Sequence, residues 1–288
     1  MTDAQREREY SPSSCLPDGD YRPFVAAYRS ESDSAWATVE AAAGVRTTTV
    51  TYGDAASNTV DVVVPVATDP PPLLVYFHGG YWQELSKHES RFAAVHCVDR
   101  GWAFAAVDYT LAPDADLDEI VRECRQAVRA VGESGSSLGI DPRRIVVAGS
   151  SAGAHLAAMT ASGPSSASHR IIGAVLVSGI FELEPLIGTS IDDALGLDAD
   201  MASRNSPMAL NVAEFPTALL AYGEHETGEF KAQTEQFADR LVAAGVRATT
   251  LEVPDRNHFD VILDLAAPDT LLGEATAILI GAAGTGPI

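Results

Sequence analysis

A serine sits at the centre of a run of small residues, Gly149-Ser150-Ser151-Ala152-Gly153. An apolar stretch, 145–148, precedes it, and an alanine-rich stretch, 152–161, follows. The first reads as a strand buried on both faces and the second as a helix. G-x-S-x-G between a strand and a helix describes a turn so tight that only small residues can flank the serine. The serine oxygen is then pushed out above the sheet, at a helix N-terminus where developing negative charge is favoured. The spacing selects Ser151 rather than Ser150 as the exposed hydroxyl. A Gly-Ser turn that merely caps a helix would use the same residue types.

The rest of the chain supplies the surroundings such a turn needs. Segments 45–52 and 59–66 are rich in β-branched residues and predict an antiparallel start. Segments 73–77, 102–107, 145–148, 172–178, 217–222 and 248–253 read as further strands. Helices are expected over 117–131, 152–161, 230–244 and 269–280. Strands that alternate with helices imply a mostly parallel sheet covered on both faces. The Gly- and Ser-rich stretches 132–137 and 162–168 read as loops. No linker of domain-boundary length appears, so residues 1–288 are expected to form one domain, with a small cap segment at 181–212.

His78-Gly79-Gly80-Tyr81-Trp82 follows the 73–77 strand directly. Glycines let backbone N–H groups approach a reacting carbonyl with no side chain between, so Gly79, Gly80 and Ala152 are expected to form an oxyanion hole. His78 is expected to hold this loop. A hydroxyl nucleophile needs a base, and in this arrangement the chain order is serine, acid, histidine. His258 is the last of the seven histidines and follows the 248–253 strand, where that base belongs. The acid belongs just past the 217–222 strand, and Glu226 fits best. Glu224, Glu229 and Asp255 are its rivals. Its task would be to fix the tautomer of His258 and stabilise the imidazolium. These parts in this order describe an α/β-hydrolase fold.

Charge and motif content exclude other classes. Lys and Arg total 19 against 40 Asp and Glu, a formal net charge of −21. Phosphate backbones and anionic membranes both require a basic face, so neither is an expected partner. Cys15, Cys97 and Cys124 are odd in number and lack C-x-x-C spacing, which fits free thiols in a reducing cytoplasm. No histidine cluster has metal-ligand spacing, and no G-x-G-x-x-G or P-loop is present, so no metal or cofactor is expected. His88, His96 and His169 read as isolated residues, and His155 as a structural histidine of the elbow helix.

Several stretches in the correct order resemble the kynurenine formamidases, or arylformamidases. They are Tyr10-Ser11-Pro12-Ser13, His78-Gly79-Gly80-Tyr81-Trp82-Gln83, 151–159, Val177-Ser178-Gly179-Ile180-Phe181, Arg204-Asn205-Ser206-Pro207, and Glu226 with Glu229-Phe230. The chain departs from the family pattern at Ser150, where His is frequent, and at Glu226, where Asp is usual. The resemblance implies removal of a formyl group from an aryl formamide such as N-formyl-L-kynurenine, and it implies a homodimer. Formyl is the smallest acyl group, so selectivity would fall to the amine side, with Tyr81 and Trp82 packing on the aromatic ring. A carboxylesterase or another small-molecule amidase on the same scaffold is the alternative. A non-catalytic binding protein is a more distant one.

Overall fold

The apolar strands alternate their side chains between two faces, and each face has its own core. In a computed structural model that describes residues 1–163 and 166–283, Leu73, Val75 and Phe77 enter one cluster of buried residues. Leu74 and Tyr76 enter the other, as a two-residue period requires. The strands are β1 (Val45–Thr51), β2 (Thr59–Pro65), β3 (Leu73–Phe77), β4 (Ala103–Val107), β5 (Ile145–Ser150), β6 (Ile171–Val177), β7 (Thr217–His225) and β8 (Ala248–Asn257). They form one sheet in the order β1-β2-β4-β3-β5-β6-β7-β8. β1 and β2 pair antiparallel, as do β2 and β4. Every other pairing is parallel.

The helices are α1 (Asp3–Glu9), α2 (Arg22–Ala41), α3 (Ala94–Asp99), α4 (Leu117–Glu133), α5 (Gly135–Leu138), α6 (Ala152–Ala161), α7 (Asp192–Leu195), α8 (Ala199–Arg204), α9 (Gly228–Ala243) and α10 (Leu271–Ala283). Ile120 and Val128 of α4, Leu156 of α6 and Phe237 of α9 cover one face of the sheet. Tyr28 of α2, Cys97 of α3 and Leu279 of α10 cover the other. This is the covered, mostly parallel sheet of an α/β-hydrolase. All three cysteines are free, and burial pushes the Cys97 and Cys124 thiols up.

Three features differ from expectation. Residues 132–137 are not a loop: α4 runs through Glu133 and α5 begins at Gly135. Gly132 is buried inside the helix because His169 packs there; a Cβ would come 2.6 Å from the His169 Cβ. The stretch 162–168 includes Pro164 and Ser165, which lie outside the described residues. β7 and β8 run on to His225 and Asn257, past the expected ends at 222 and 253, so Glu226 and His258 directly follow strands. Two N-terminal helices precede the sheet, and α2 packs on its second core. The 181–212 segment holds α7, α8 and two short 3₁₀ turns, Glu184–Leu186 and Pro207–Ala209, with Phe181, Leu183 and Leu186 fully buried.

Asp61 of β2 ties the loop after β3 to the sheet. Its buried carboxylate accepts from Thr49 Oγ1 at 2.7 Å and Lys87 Nζ at 3.0 Å, and it pairs with Arg91. Burial alone would raise its pKa, but these hydrogen bonds outweigh that and hold it below the usual carboxylate value. The stability it contributes is therefore complete above the ordinary value of about 4 and fades as pH falls below it. Asp61→Asn leaves two buried cations without their counter-charge, so it should cost about 3 kcal/mol in urea unfolding at pH 7. A loss under about 1 kcal/mol would contradict this role.

Candidate active site

Parallel pairing brings the C-terminal ends of β3, β5, β6, β7 and β8 to one edge of the sheet, and the candidate residues follow those ends. The turn after β5 is the most constrained. Ser151 has φ 56° and ψ −121°, a conformation that L residues rarely adopt. A Cβ on Gly149 would lie 2.2 Å from the Gly153 backbone, and one on Gly153 would lie 2.0 Å from Phe77 O. Both positions therefore admit only glycine. Ser151 N donates to Val177 O at 2.9 Å, and Ser151 O accepts from Ala154 N and His155 N at 3.0 and 3.2 Å. These bonds fix the backbone and leave the hydroxyl out of the ladder. Ala152 opens α6, where the first amide groups have no partner within the helix.

The loop after β3 lies against this turn. A Cβ on Gly79 would meet Ser150 O at 2.9 Å and Ser151 Cβ at 3.4 Å, so its backbone can come close only because it is glycine. Gly80, at φ 88°, turns the chain back. His78 is buried and stacks on Tyr109 with centroids 4.1 Å apart. Its Nδ1 lies 2.9 Å from Gly79 O, and the Tyr109 hydroxyl donates to His78 O at 2.8 Å. His78 thus braces the loop.

Glu226 and His258 meet directly, with Oε2 3.0 Å from Nδ1. The other carboxylate oxygen, Oε1, accepts from Ser178 Oγ and Gly223 N, each at 2.6 Å. The side chain of Glu226 is fully shielded and that of His258 is 5% exposed. Phe230 packs edge-on to the imidazole at 4.4 Å. With Nδ1 engaged, Nε2 is the nitrogen available to a hydroxyl. Among the described residues His258 has no hydrogen bond to Ser151; the two share the lining of one cavity. Such contacts are often long until substrate is bound. The rivals lie elsewhere: Glu224 is exposed and accepts from Asp255 N, and Glu229 accepts from the Tyr10 hydroxyl. Glu224, His225 and Asp255, all exposed, bring ligand atoms within 4.8 Å of one another.

The cavity has a volume of about 370 Å³. Ser151, His258, Gly79, Gly80 and Tyr81 line it, together with aromatic rings that include Tyr21, Tyr28, Phe92 and Phe259. The N-terminal segment contributes to its wall through Glu7 as well. Tyr10 to Ser13 lines it, and Tyr10 is fastened by its carbonyl to the Tyr81 hydroxyl and by its ring to Gln233. Trp82, expected against a substrate ring, is instead fully buried and lies outside the cavity lining. Its indole donates to His155 Nδ1 at 3.2 Å. Ser178 and Gly223 had no sequence signal as partners of Glu226. Hydroxyls and backbone amides become partners only through folding.

Residues 74–261 match the family described as alpha/beta hydrolase fold. The chain is 34% identical to the kynurenine formamidase of Danio rerio, over 98% of this chain and 97% of that protein. It is 35% identical to the kynurenine formamidase of Salmo salar, over 81% of each. Among solved structures, a hyperthermophilic esterase from Pyrobaculum calidifontis superposes with a TM-score of 0.72 at 22% identity, over 92% of this chain and 95% of that one.

His155, on the elbow helix, donates from Nε2 to Asn205 O at 2.7 Å once Nδ1 has accepted from Trp82. Burial pushes its pKa down to about 4. Unfolded histidine takes up its proton near 6.5, so the stability held in the neutral ring is complete above that value and drains away as pH falls toward 4. In an NMR titration the His155 ring signal should stay flat from pH 8 to about 5. A midpoint near 6.5 would contradict the buried, neutral assignment.

Proposed function

The chain belongs to the kynurenine formamidase family of α/β-hydrolases, and we propose that it removes the formyl group of an aryl formamide such as N-formyl-L-kynurenine through Ser151, His258 and Glu226. The observation that carries this reading is the 3.0 Å Glu226–His258 contact, with His258 and Ser151 lining one cavity.

His258 Nε2 takes the Ser151 proton as the hydroxyl oxygen attacks the formyl carbon. Glu226, held by Ser178 and Gly223, keeps Nδ1 protonated and stabilises the imidazolium. The carbonyl oxygen becomes an oxyanion facing the N–H groups of Gly79, Gly80 and Ala152, each worth about 10²–10³ in turnover in comparable sites. The C–N bond then breaks, and His258 gives its proton to the departing arylamine. A water molecule, deprotonated by the same imidazole, attacks the formyl-Ser151 ester. Formate leaves and the serine hydroxyl is restored.

The aromatic walls favour an aromatic amine portion, with Tyr81 one of them. The charges in the lining are selective as well. Glu7, Glu84 and Glu89 line the cavity, and among the described residues no Lys or Arg does. An ammonium group on the substrate is therefore favoured over an isolated carboxylate. A homodimer working in the cytoplasm on a small molecule, and not on nucleic acid, completes the reading; the net charge of −21 supports the last point. Among the described residues no helix is long and apolar enough to cross a membrane.

A substrate panel tests this. Formate release from N-formyl-L-kynurenine should exceed hydrolysis of p-nitrophenyl acetate by at least about tenfold in kcat/KM, or about 1.4 kcal/mol in transition-state binding. N-formylanthranilate, whose charge is a carboxylate alone, should be turned over less efficiently than N-formyl-L-kynurenine. A preference for the ester would favour a carboxylesterase, and a preference for the anthranilate would overturn the charge argument.

A further inference from the structure

A second, larger cavity of about 750 Å³ opens at the opposite edge of the sheet. Arg170 and Arg247 immediately precede β6 and β8, Arg143 lies two residues before β5, and all three line it. The nucleophile elbow follows the other end of β5, about 20 Å away for a six-residue strand. Arg125 and Arg129 enter the same cavity from α4, four residues apart and so on one helix face. Among the described residues its only carboxylate is Glu214.

Five arginines gathered in one concavity are unusual in a chain with 40 acidic and 19 basic side chains. Carboxylates are abundant, yet none of the five has a salt-bridge partner among the described residues. Arg125 is half-buried and donates to Met159 O from Nη2 at 2.7 Å and from Nε at 3.2 Å, which fixes its direction. That carbonyl is neutral, so the cationic charge is left uncompensated, and burial pushes the Arg125 pKa down. Like charges held together in this way repel one another unless an anion enters between them.

We propose that this cavity binds a compact polyanion, a small molecule bearing two or more phosphate or carboxylate groups. Guanidinium forks match paired oxygens of either group, and the volume suits a metabolite-sized ligand. Phe215 and Ile172 supply apolar wall for its carbon frame. The rest of the molecule selects for compactness. A long polyanion such as nucleic acid would extend beyond the cavity over a protein of net charge −21 and be repelled, whereas a small one fits inside.

Calorimetric titration of the full chain with sodium tripolyphosphate, and separately with citrate, tests this at an ionic strength held constant with NaCl. Saturable one-to-one binding of at least one anion is expected, and which one binds separates phosphate from carboxylate recognition. Affinity should fall at least about tenfold in the Arg143→Ala/Arg247→Ala double variant and in Arg170→Gln, with formamide hydrolysis unchanged. These three side chains are exposed, so the variants should keep the wild-type circular dichroism spectrum. If the double variant does not fold, Arg170→Gln alone decides. Failure of both anions to saturate, or an affinity within about twofold of wild type in the folded variants, would overturn the proposal.

Discussion

Backbone sterics at one turn govern the placement of everything else at the site. Ser151 can hold φ 56° only where the chain on both sides is pressed close, and Gly149 and Gly153 provide that closeness. A methyl group at position 153 would sit 2.0 Å from Phe77 O, so the elbow, the start of α6 and the end of β3 are one tightly packed unit. The loop carrying Gly79 and Gly80 leaves from that same strand end, which is why candidate oxyanion donors and candidate nucleophile arrive together. Conformational strain at the serine is offset by the bonds of its backbone N–H and carbonyl into β6 and α6.

The fold was legible because its signals are strong and local. Apolar runs such as 73–77 and 145–148 are buried on both faces and have no other stable destination. The α2 helix was not foreseen: its buried positions are Tyr28, Ser32, Ala35 and Val39, and so small a stripe hardly registers as amphipathic. Gly132 departs from its propensity for a related reason. Glycine and serine mark loops by propensity, but here a histidine packs so closely that only glycine leaves room within the helix. The α/β-hydrolase architecture and the family resemblance are both carried by local motifs in the sequence. What could not be read were long-range partners: Ser178 against Glu226 lies 48 residues away in the chain, and Tyr10 meets Gln233 across 223.

The cavity divides its work by origin. The sheet edge carries the candidate groups for bond cleavage, while the N-terminal segment contributes Glu7 and Tyr10 to Ser13 to the wall that the proposed amine portion would meet. Tyr10 is the link, tied to Tyr81 in the loop after β3 and to Gln233 on α9. An arylamine carrying an ammonium group, as proposed, would meet aromatic surface and acidic groups, with no Lys or Arg among the described lining residues. Trp82 is not among the lining residues; its indole donates to His155 of the elbow helix and packs edge-on to that ring.

The central claim is that the Ser151 oxygen becomes nucleophilic because His258, oriented by Glu226, removes its proton. Mass spectrometry after treatment with an aryl phosphonate tests this most directly. The account predicts one covalent adduct, mapped to Ser151, absent in Ser151→Ala and formed at least about a hundredfold more slowly in His258→Ala. An adduct that persists in Ser151→Ala, or that forms at the wild-type rate without the imidazole, would contradict it.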